Sequence, residues 1–240
     1  RADAITAVSD YTRRELLAAM PDLAITVIHH GVRAEEFSGG VSAEVGAAER
    51  SRIMRLQPFI LSVGALKPRK GFRYSIEAFA AIRAVFPTLR YVIVGDGERR
   101  ELDLHIQRLN LGSAVVFFRG VSRPFLRALY RAATLFMLLP YNDHGDVEGF
   151  GLVFLEAAAS GLPVIGTTDS GAEDAVQHGE NGFLVSPRDA RAAAQAAIAV
   201  LSSSPLRAKL AAGSRAFAAT MDWSRVVGSY QAIYQTLSRQ

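Results

Sequence analysis

Short apolar runs alternate with longer amphipathic stretches along most of this chain. The runs are nearly continuous in hydrophobicity, as is typical of strands that are covered on both faces. Because the stretches between them follow the helical period, the alternation predicts an α/β fold built on a doubly wound parallel sheet. The runs occupy residues 4–8, 24–29, 59–64, 91–97, 114–120, 134–140, 162–168 and 182–185.

The amphipathic stretches predict helices, two of which begin with a residue suited to cap an N-terminus. Asp10 is expected to cap the helix over 10–20, and Ser122 the helix over 122–133. From Pro187 onward the pattern is purely helical. The other expected helices cover residues 73–86, 99–112, 151–161, 188–203, 205–220 and 222–238.

One stretch, residues 38–57, interrupts the alternation. It opens with a serine and two glycines before a helical patch, and it separates the first two predicted strands from the others. This composition predicts a linker or domain seam.

Composition narrows the function classes. The chain has 240 residues, half of them hydrophobic, and 27 Lys and Arg against 23 Asp and Glu, a net charge of +4 without a long run of one sign. This charge distribution falls short of a nucleic-acid-binding pattern.

The lack of cysteine excludes disulfides, thiolate nucleophiles and Cys-ligated metals and permits a reducing compartment, so a cytoplasmic location is expected. The longest apolar run, over 132–140, is shorter than the about 18 residues that span a bilayer, which leaves peripheral membrane contact.

Glu156 is unusual because it lies in a predicted helix of otherwise apolar or small residues, where a carboxylate needs a partner. Glu148 precedes it by eight positions, with Gly149, Phe150 and Gly151 between them. The glycines permit close approach of the backbone to a ligand, and the first amides of a helix bind anions. The segment therefore predicts one extended ligand, held by carboxylates at both ends and by its phosphates between them.

A basic turn follows the third predicted strand and places Lys67, Arg69 and Lys70 at a strand end, where ligands gather in open α/β sheets. Arg69 and Lys70 are candidates to hold a diphosphate as fixed cations. The turn lacks the Walker spacing, and Gly95 and Gly97 after the next strand lack the third glycine of a dinucleotide motif.

Each of these features also has a simpler structural interpretation. The basic turn is then a solvated surface, Glu148 only complements the helix dipole, and Glu156 pairs with an internal arginine such as Arg119 or Arg127. His29, His30 and His144 have neither an H-x-x-x-H motif nor a carboxylate cluster beside them, so no metal site is predicted. His144 could contact a ligand phosphate or sugar.

Several motifs in order resemble one family. They are the two glutamates with seven residues between them, G-x-P-V-I at 161–165, GAEDAV at 171–176 and GENGFLV at 179–185. Together they resemble the signature of the retaining, nucleotide-sugar-dependent glycosyltransferases of family 4, which have the GT-B fold. Flanking segments such as VSDYTRREL and VGALKPRKGF agree, so the resemblance covers essentially the whole chain.

The resemblance implies transfer of a sugar from a UDP- or GDP-linked donor to a hydroxyl of a glycan or lipid-linked acceptor, without a cofactor or metal. The expected location is the cytoplasm, and contact with the inner face of the membrane is left open. Glu148, Arg69 and Lys70 would be the catalytic residues: Glu148 would contact the donor sugar, and the two cations would neutralise the departing diphosphate. Glu156 would bind the ribose hydroxyls. The remaining donor-binding positions would be Gly64, Arg119, Gly120, Val121, His144, Gly149, Phe150, Gly151 and Leu152.

Two departures from the family pattern affect the expectation. Ala65 stands where many members have a phosphate-binding arginine, and the L-x-P-R-K form over 66–70 is shared with mannosyltransferases, a pointer to a GDP-mannose-like donor. Family members also carry a first Rossmann-like domain, of which residues 1–37 would be the remnant, 38–57 the seam and 58–240 the nucleotide-sugar-binding domain.

Two alternatives remain open at this stage. One is a non-catalytic nucleotide-sugar-binding partner subunit, supported by Ala65 and the short N-terminal region. The other, a nucleotide-sugar epimerase or phosphorylase of similar fold, is disfavoured by the paired glutamates.

Overall fold

The computed structural model of the chain describes residues 2–39 and 45–238. Within those residues, eight strands form a two-stranded and a six-stranded sheet, both parallel. The predicted α/β fold with a doubly wound, Rossmann-like parallel sheet is confirmed. The strands are β1 (Ile5–Ala7), β2 (Ile25–Val27), β3 (Phe59–Val63), β4 (Arg90–Val94), β5 (Val115–Phe118), β6 (Leu135–Met137), β7 (Val164–Thr167) and β8 (Gly182–Val185).

Helices connect the strands and continue after the last of them. Two short 3-10 helices, Pro68–Lys70 and Gly171–Asp174, follow β3 and β7. Helix α4 packs against α8, and α7 packs against α9. The α-helices of the described residues are α1 (Asp10–Ala19), α2 (Ala34–Phe37), α3 (Ala47–Met54), α4 (Phe72–Val85), α5 (Arg100–Arg108), α6 (Arg123–Ala132), α7 (Leu152–Ala159), α8 (Ala190–Ser202), α9 (Ser204–Thr220) and α10 (Trp223–Leu237).

The large sheet has the strand order β5-β4-β3-β6-β7-β8, so the direction of winding reverses between β3 and β6. In open α/β sheets, ligands bind at such a switch point, beyond the carboxyl ends of the two strands. The loops that leave β3 and β6 meet there, where the Tyr141 amide donates a hydrogen bond of 2.9 Å to the Arg69 carbonyl. The topology thus brings the basic turn over 67–70 and the glycine-rich segment over 148–152 to one edge of the sheet.

Burial explains why the central strands have continuous apolar sequences. All five residues of β3 and four of the five of β4 are buried, because helices cover both faces of the sheet. Ser62 is a polar exception in β3, and its hydroxyl is satisfied by the Tyr91 hydroxyl at 2.6 Å and by the Met137 carbonyl.

The helix caps agree with the sequence in one case and differ in another. Ser122 caps α6 as predicted, since its hydroxyl accepts from the Phe125 amide at 3.3 Å. The cap of α1 is Ser9, whose hydroxyl accepts from the Thr12 amide at 2.9 Å. The prediction of Asp10 was wrong, because Asp10 already has a helical backbone and is the first residue of the helix.

The N-terminal segment forms a small unit against the large sheet. Strands β1 and β2 pair in parallel on either side of α1, which contacts the 3-10 helix Gly171–Asp174. Of the predicted seam over 38–57, residues 40–44 lie outside the described residues. In the remainder, Ile53 and Leu56 are buried in the same core as β3. The division into domains at this seam stays a prediction.

Candidate functional site

The turn after β3 is held tightly against the end of β6. Gly71 ends the 3-10 helix Pro68–Lys70 in a left-handed conformation, with φ of +66°. A Cβ atom there would lie 1.7 Å from the Leu139 carbonyl oxygen, so only glycine allows this approach. The turn therefore presents Arg69 and Lys70 from a fixed backbone at the switch point, with Gly64 at its start.

Arg69, Lys70 and Glu148 form one charged cluster there. The Arg69 Nη1 atom lies 3.0 Å from Glu148 Oε2, and Lys70 Nζ donates to the same oxygen. All three side chains are at most 17% exposed, so two cations share one carboxylate with little solvent. Asp146, which lies 3.0 Å from Arg69 Nε, is more than half exposed. The buried part of the cluster has an excess of positive charge, which favours an anion.

The glycine-rich segment leads from this cluster into α7. Gly151, with φ of +81°, occupies the N-cap position and has no side chain to cap the helix. Among the described residues, the amides of Phe150, Gly151 and Leu152 have no hydrogen-bond acceptor. Unpaired amides at a helix N-terminus carry partial positive charge and bind anions. His144 is exposed, in the turn that precedes this segment.

Glu156, on α7, is held differently from Glu148. The Tyr130 hydroxyl donates a 2.9 Å hydrogen bond to Glu156 Oε2. Burial raises the pKa of Glu156, and the Tyr130 hydrogen bond and the charge of Arg123 offset this only in part. Neither arginine suggested as the partner of Glu156 bonds to it. Arg119 donates to the Gly97 carbonyl, and Arg127 donates to Glu36.

Glu156 also faces a cavity of about 370 Å³. Apolar side chains and a few charged ones surround this space, which gives it the mixed character of a small-molecule pocket. The other lining residues are Gly31, Val32, Arg33, Glu36, Phe37, Arg123, Leu152 and Trp223.

The segment Arg119, Gly120 and Val121 follows β5 and precedes the cap of α6. Arg119 and Gly120 are exposed, and Gly120 is left-handed with φ of +56°. Val121 is partly buried, and Arg123, two residues later, lines the cavity beside Glu156. Arg123 therefore lines the Glu156 cavity, whereas none of the three predicted residues is among its lining residues.

His29 has carboxylate neighbours that its sequence surroundings do not reveal. Its Nε2 atom lies 3.3 Å from Asp174 Oδ1, and Asp10 adds a third group whose ligand atom lies within 4.8 Å of the other two. The hydrogen bond to Asp174 raises the pKa of His29, whereas burial lowers the pKa of His30. Because 145 residues separate His29 from Asp174, spacing could not predict this group. The expectation that no metal is needed stays a prediction.

Sequence reasoning also missed the residues that support the site. Tyr130 is the partner of Glu156, and Ser9 and Thr12 both contact the Gly149 carbonyl. Tyr130 lies on the apolar face of the amphipathic helix α6, and Ser9 and Thr12 lie at the N-cap and in the first turn of α1, which are common positions for these residue types. No local pattern indicates their contacts, because each partner is distant along the chain.

Comparison with known proteins now identifies the relatives of this chain. Residues 48–217 match the model of the family described as Glycosyl transferases group 1. The chain belongs to the group 1 glycosyl transferases. The fold and family that the sequence motifs implied are therefore confirmed.

Two curated relatives show how this group 1 glycosyl transferase chain compares in length. One is the GDP-mannose-dependent alpha-(1-6)-phosphatidylinositol monomannoside mannosyltransferase of Mycolicibacterium smegmatis, 34% identical over 193 residues, which are 78% of this chain and 50% of that protein. The other is the D-inositol 3-phosphate glycosyltransferase of Acidothermus cellulolyticus, 34% identical over 232 residues, 92% of this chain and 50% of that protein. The chain spans about half the length of these relatives.

A solved structure supports the same placement. Anabaena Alr3699/HepE, in complex with UDP and glucose, is 25% identical with a TM-score of 0.81, over 100% of this chain and 64% of that one. In the described part of the group 1 glycosyl transferase chain, none of the helices combines the length and apolar character needed to cross a membrane.

Proposed function

We propose that this chain is the donor-binding half of a glycosyltransferase that moves a hexosyl group from a nucleoside diphosphate sugar to an acceptor hydroxyl with retention of configuration. The observation that carries the proposal is the cluster at the switch point, where Arg69 and Lys70 share the single buried carboxylate of Glu148 beside the uncapped start of α7. Such a cluster suits a diphosphate flanked by a sugar.

In this proposal, each group acts on a different part of the donor. Arg69, Lys70 and the amides of Phe150, Gly151 and Leu152 hold the diphosphate and stabilise the charge that develops as it leaves. Glu148 both orients the two cations and accepts hydrogen bonds from sugar hydroxyls. Because the side chains are already paired with each other, little reorganisation is needed when the donor binds.

Glu156 would hold the ribose, since its carboxylate faces the cavity and remains anchored by Tyr130. The base would lie toward the segment Arg119, Gly120 and Val121, on the side of the cavity where Arg123 lies. Neutralisation of the diphosphate by two side-chain cations is the reason for expecting no metal requirement.

The proposed donor carries GDP or UDP. The L-x-P-R-K turn and the GDP-mannose-dependent relative favour GDP, whereas Alr3699/HepE binds UDP. A glycan or a lipid-linked molecule would be the acceptor, and a lipid-linked one would bring the protein to the cytoplasmic face of the membrane. A further Rossmann-like domain would complete the acceptor side, in keeping with relatives about twice as long.

A second candidate function is a nucleotide-sugar-binding subunit without transfer activity. The observation that favours it is Ala65, an exposed residue of the turn at the position where the resemblance to the family leads one to expect an arginine. The variant Ala65→Arg discriminates between the transferase and the binding-only subunit when it is assayed with an acceptor and the further Rossmann-like domain. A binding-only subunit gains donor affinity but shows no transfer.

Calorimetric titration with GDP, UDP and ADP, each with and without Mg²⁺, tests the proposed function. We expect GDP or UDP to bind without Mg²⁺, and Glu156→Ala to weaken binding about tenfold, or about 1.4 kcal/mol. Glu156→Gln keeps an acceptor for Tyr130 and serves as the gentler variant. Glu101→Ala, at an exposed position of α5, is the matched control. Unchanged affinity in both Glu156 variants, with the fold intact by circular dichroism, would contradict the ribose role.

A further inference from the structure

The N-terminal unit contacts the glycine-rich segment through two hydroxyls. Ser9 Oγ and Thr12 Oγ1 both reach the Gly149 carbonyl oxygen, Thr12 at 3.1 Å, and they lie 2.8 Å from each other. Ser9 is completely buried and lies 140 residues from Gly149 in the chain. These hydrogen bonds fix the peptide group between Gly149 and Phe150 from a part of the chain that is distant in sequence.

A count of the hydroxyl protons shows that at least one of the two hydroxyls can always donate a hydrogen bond to the Gly149 carbonyl. Each hydroxyl has one proton to donate, whereas the carbonyl oxygen can only accept. If Ser9 donates to Thr12, then Thr12 is free to donate to Gly149, and if Thr12 donates to Ser9, then Ser9 donates to Gly149. Either hydroxyl alone can therefore hold the carbonyl, and loss of both leaves it without a donor from the part of the chain that the structure describes.

The N–H of the same peptide group is the backbone amide of Phe150. In a planar trans peptide, the carbonyl and the following N–H point in opposite directions. A carbonyl held toward α1 thus turns the Phe150 N–H away from α1, and this amide has no protein acceptor among the described residues. Gly171 lies against the same peptide, since a Cβ there would be 2.4 Å from the Phe150 nitrogen.

The Phe150 side chain is fixed by the same N-terminal unit. It is buried, and its ring stacks on His29 at 5.7 Å and meets the edge of His30 at 5.5 Å. Backbone and side chain of this residue are therefore both positioned by residues 9–30.

We infer that Ser9 and Thr12 are positioning residues that aim the Phe150 amide at the donor diphosphate. The inference rests on the proposed function, because it assigns the amide a phosphate as its acceptor. The N-terminal unit is then part of the donor site's construction, although neither hydroxyl touches the donor.

The test is a double-mutant cycle on GDP and UDP affinity, measured by calorimetry. Since either hydroxyl suffices, Ser9→Ala and Thr12→Val alone are expected to weaken binding less than about threefold, and Ser9→Ala/Thr12→Val about tenfold or more. Thr12→Ser, which keeps the donor, should bind like the unmodified chain. Ser203→Ala is the matched control, because Ser203 also caps a helix, α9, but lies away from the site.

The outcomes separate this inference from the proposed function. Equal nucleotide affinity of the double variant and the unmodified chain would overturn the inference while leaving the proposed function in place. The same holds if the loss of affinity in the double variant is only the sum of the losses in the two single variants. Failure of the unmodified chain to bind either nucleotide would overturn both. If the double variant does not fold, Ser9→Cys/Thr12→Val keeps the volume with only a weak thiol donor, and its unweakened binding would equally overturn the inference.

Discussion

At the scale of single residues, Glu148 before α7 and Glu156 within α7 have opposite surroundings. Glu148 is buried beside two cations, so its charge is compensated by ion pairs. Glu156 is held by the neutral Tyr130 hydroxyl, and burial raises its pKa. The unusual sequence position of Glu156 predicted a partner but could not distinguish an arginine from a tyrosine, because that depends on which side chain of α6 faces α7.

Removal of the Tyr130 hydroxyl should be costly. Tyr130→Phe leaves the partly buried Glu156 carboxylate without its donor, and we expect the free energy of unfolding to fall by about 1–2 kcal/mol. Urea denaturation measures this change, with Tyr234→Phe on the exposed face of α10 as control. A loss no larger than that of the control would contradict the assignment of this hydrogen bond.

Gly71 should tolerate no side chain. Gly71→Ala combines a left-handed backbone with a Cβ placed 1.7 Å from the Leu139 carbonyl oxygen, so a loss of about 3 kcal/mol or more is expected. Gly112→Ala, where a Cβ would meet nothing within 4 Å, is the matched control. Similar urea midpoints for the two variants would show that the turn is not packed against β6 as described.

At the scale of elements, local patterns located nearly all strands and helices but not their ends. The apolar run over 134–140 gave a strand of only three residues, β6, although Leu138 and Leu139 beyond it are also buried. Burial alone shapes the apolar pattern, whereas strand pairing sets the strand end. The cap of α1 was misplaced by one residue for a related reason: Ser9 and Asp10 both suit a cap, and only the backbone conformation decides between them.

The contact between the loop after β2 and the 3-10 helix Gly171–Asp174 predicts a pH dependence. The pKa of His29 is raised above its ordinary value of 6.5 by the hydrogen bond to Asp174, so the folded chain binds the proton more tightly than the unfolded chain. Its stabilisation is therefore complete below pH 6.5 and is lost as the pH rises through the folded-state pKa. The pair is partly exposed, so the effect should be at most about 1 kcal/mol.

The measurement is the free energy of unfolding from pH 5 to pH 9 for the unmodified chain and His29→Gln. The difference between the two should shrink as the pH rises. His30→Gln provides the contrast, because burial lowers the pKa of His30 and its contribution has the opposite sign. A constant difference for His29→Gln would contradict the ion pair with Asp174.

At the scale of the whole molecule, the site depends on the order of the strands in the sheet. Arg69 and Glu148 are 79 residues apart, and they meet because β3 and β6 are neighbours at the switch point. The sequence predicted the parallel sheet and the two segments at its carboxyl edge, since both follow apolar strands. It could not predict their direct pairing, or the contacts of Ser9 and Thr12 with Gly149, because no local pattern encodes the packing of distant segments.

The most direct test of the central claim, that a nucleoside diphosphate binds at this switch point, is a backbone NMR titration of the chain with GDP and with UDP. The account predicts saturable shifts that are largest for the amides of Phe150, Gly151 and Leu152 and for the turn over 64–71. Shifts centred elsewhere, for example around Leu102 and Leu104 on α5, or no saturable shift with either nucleotide, would contradict it.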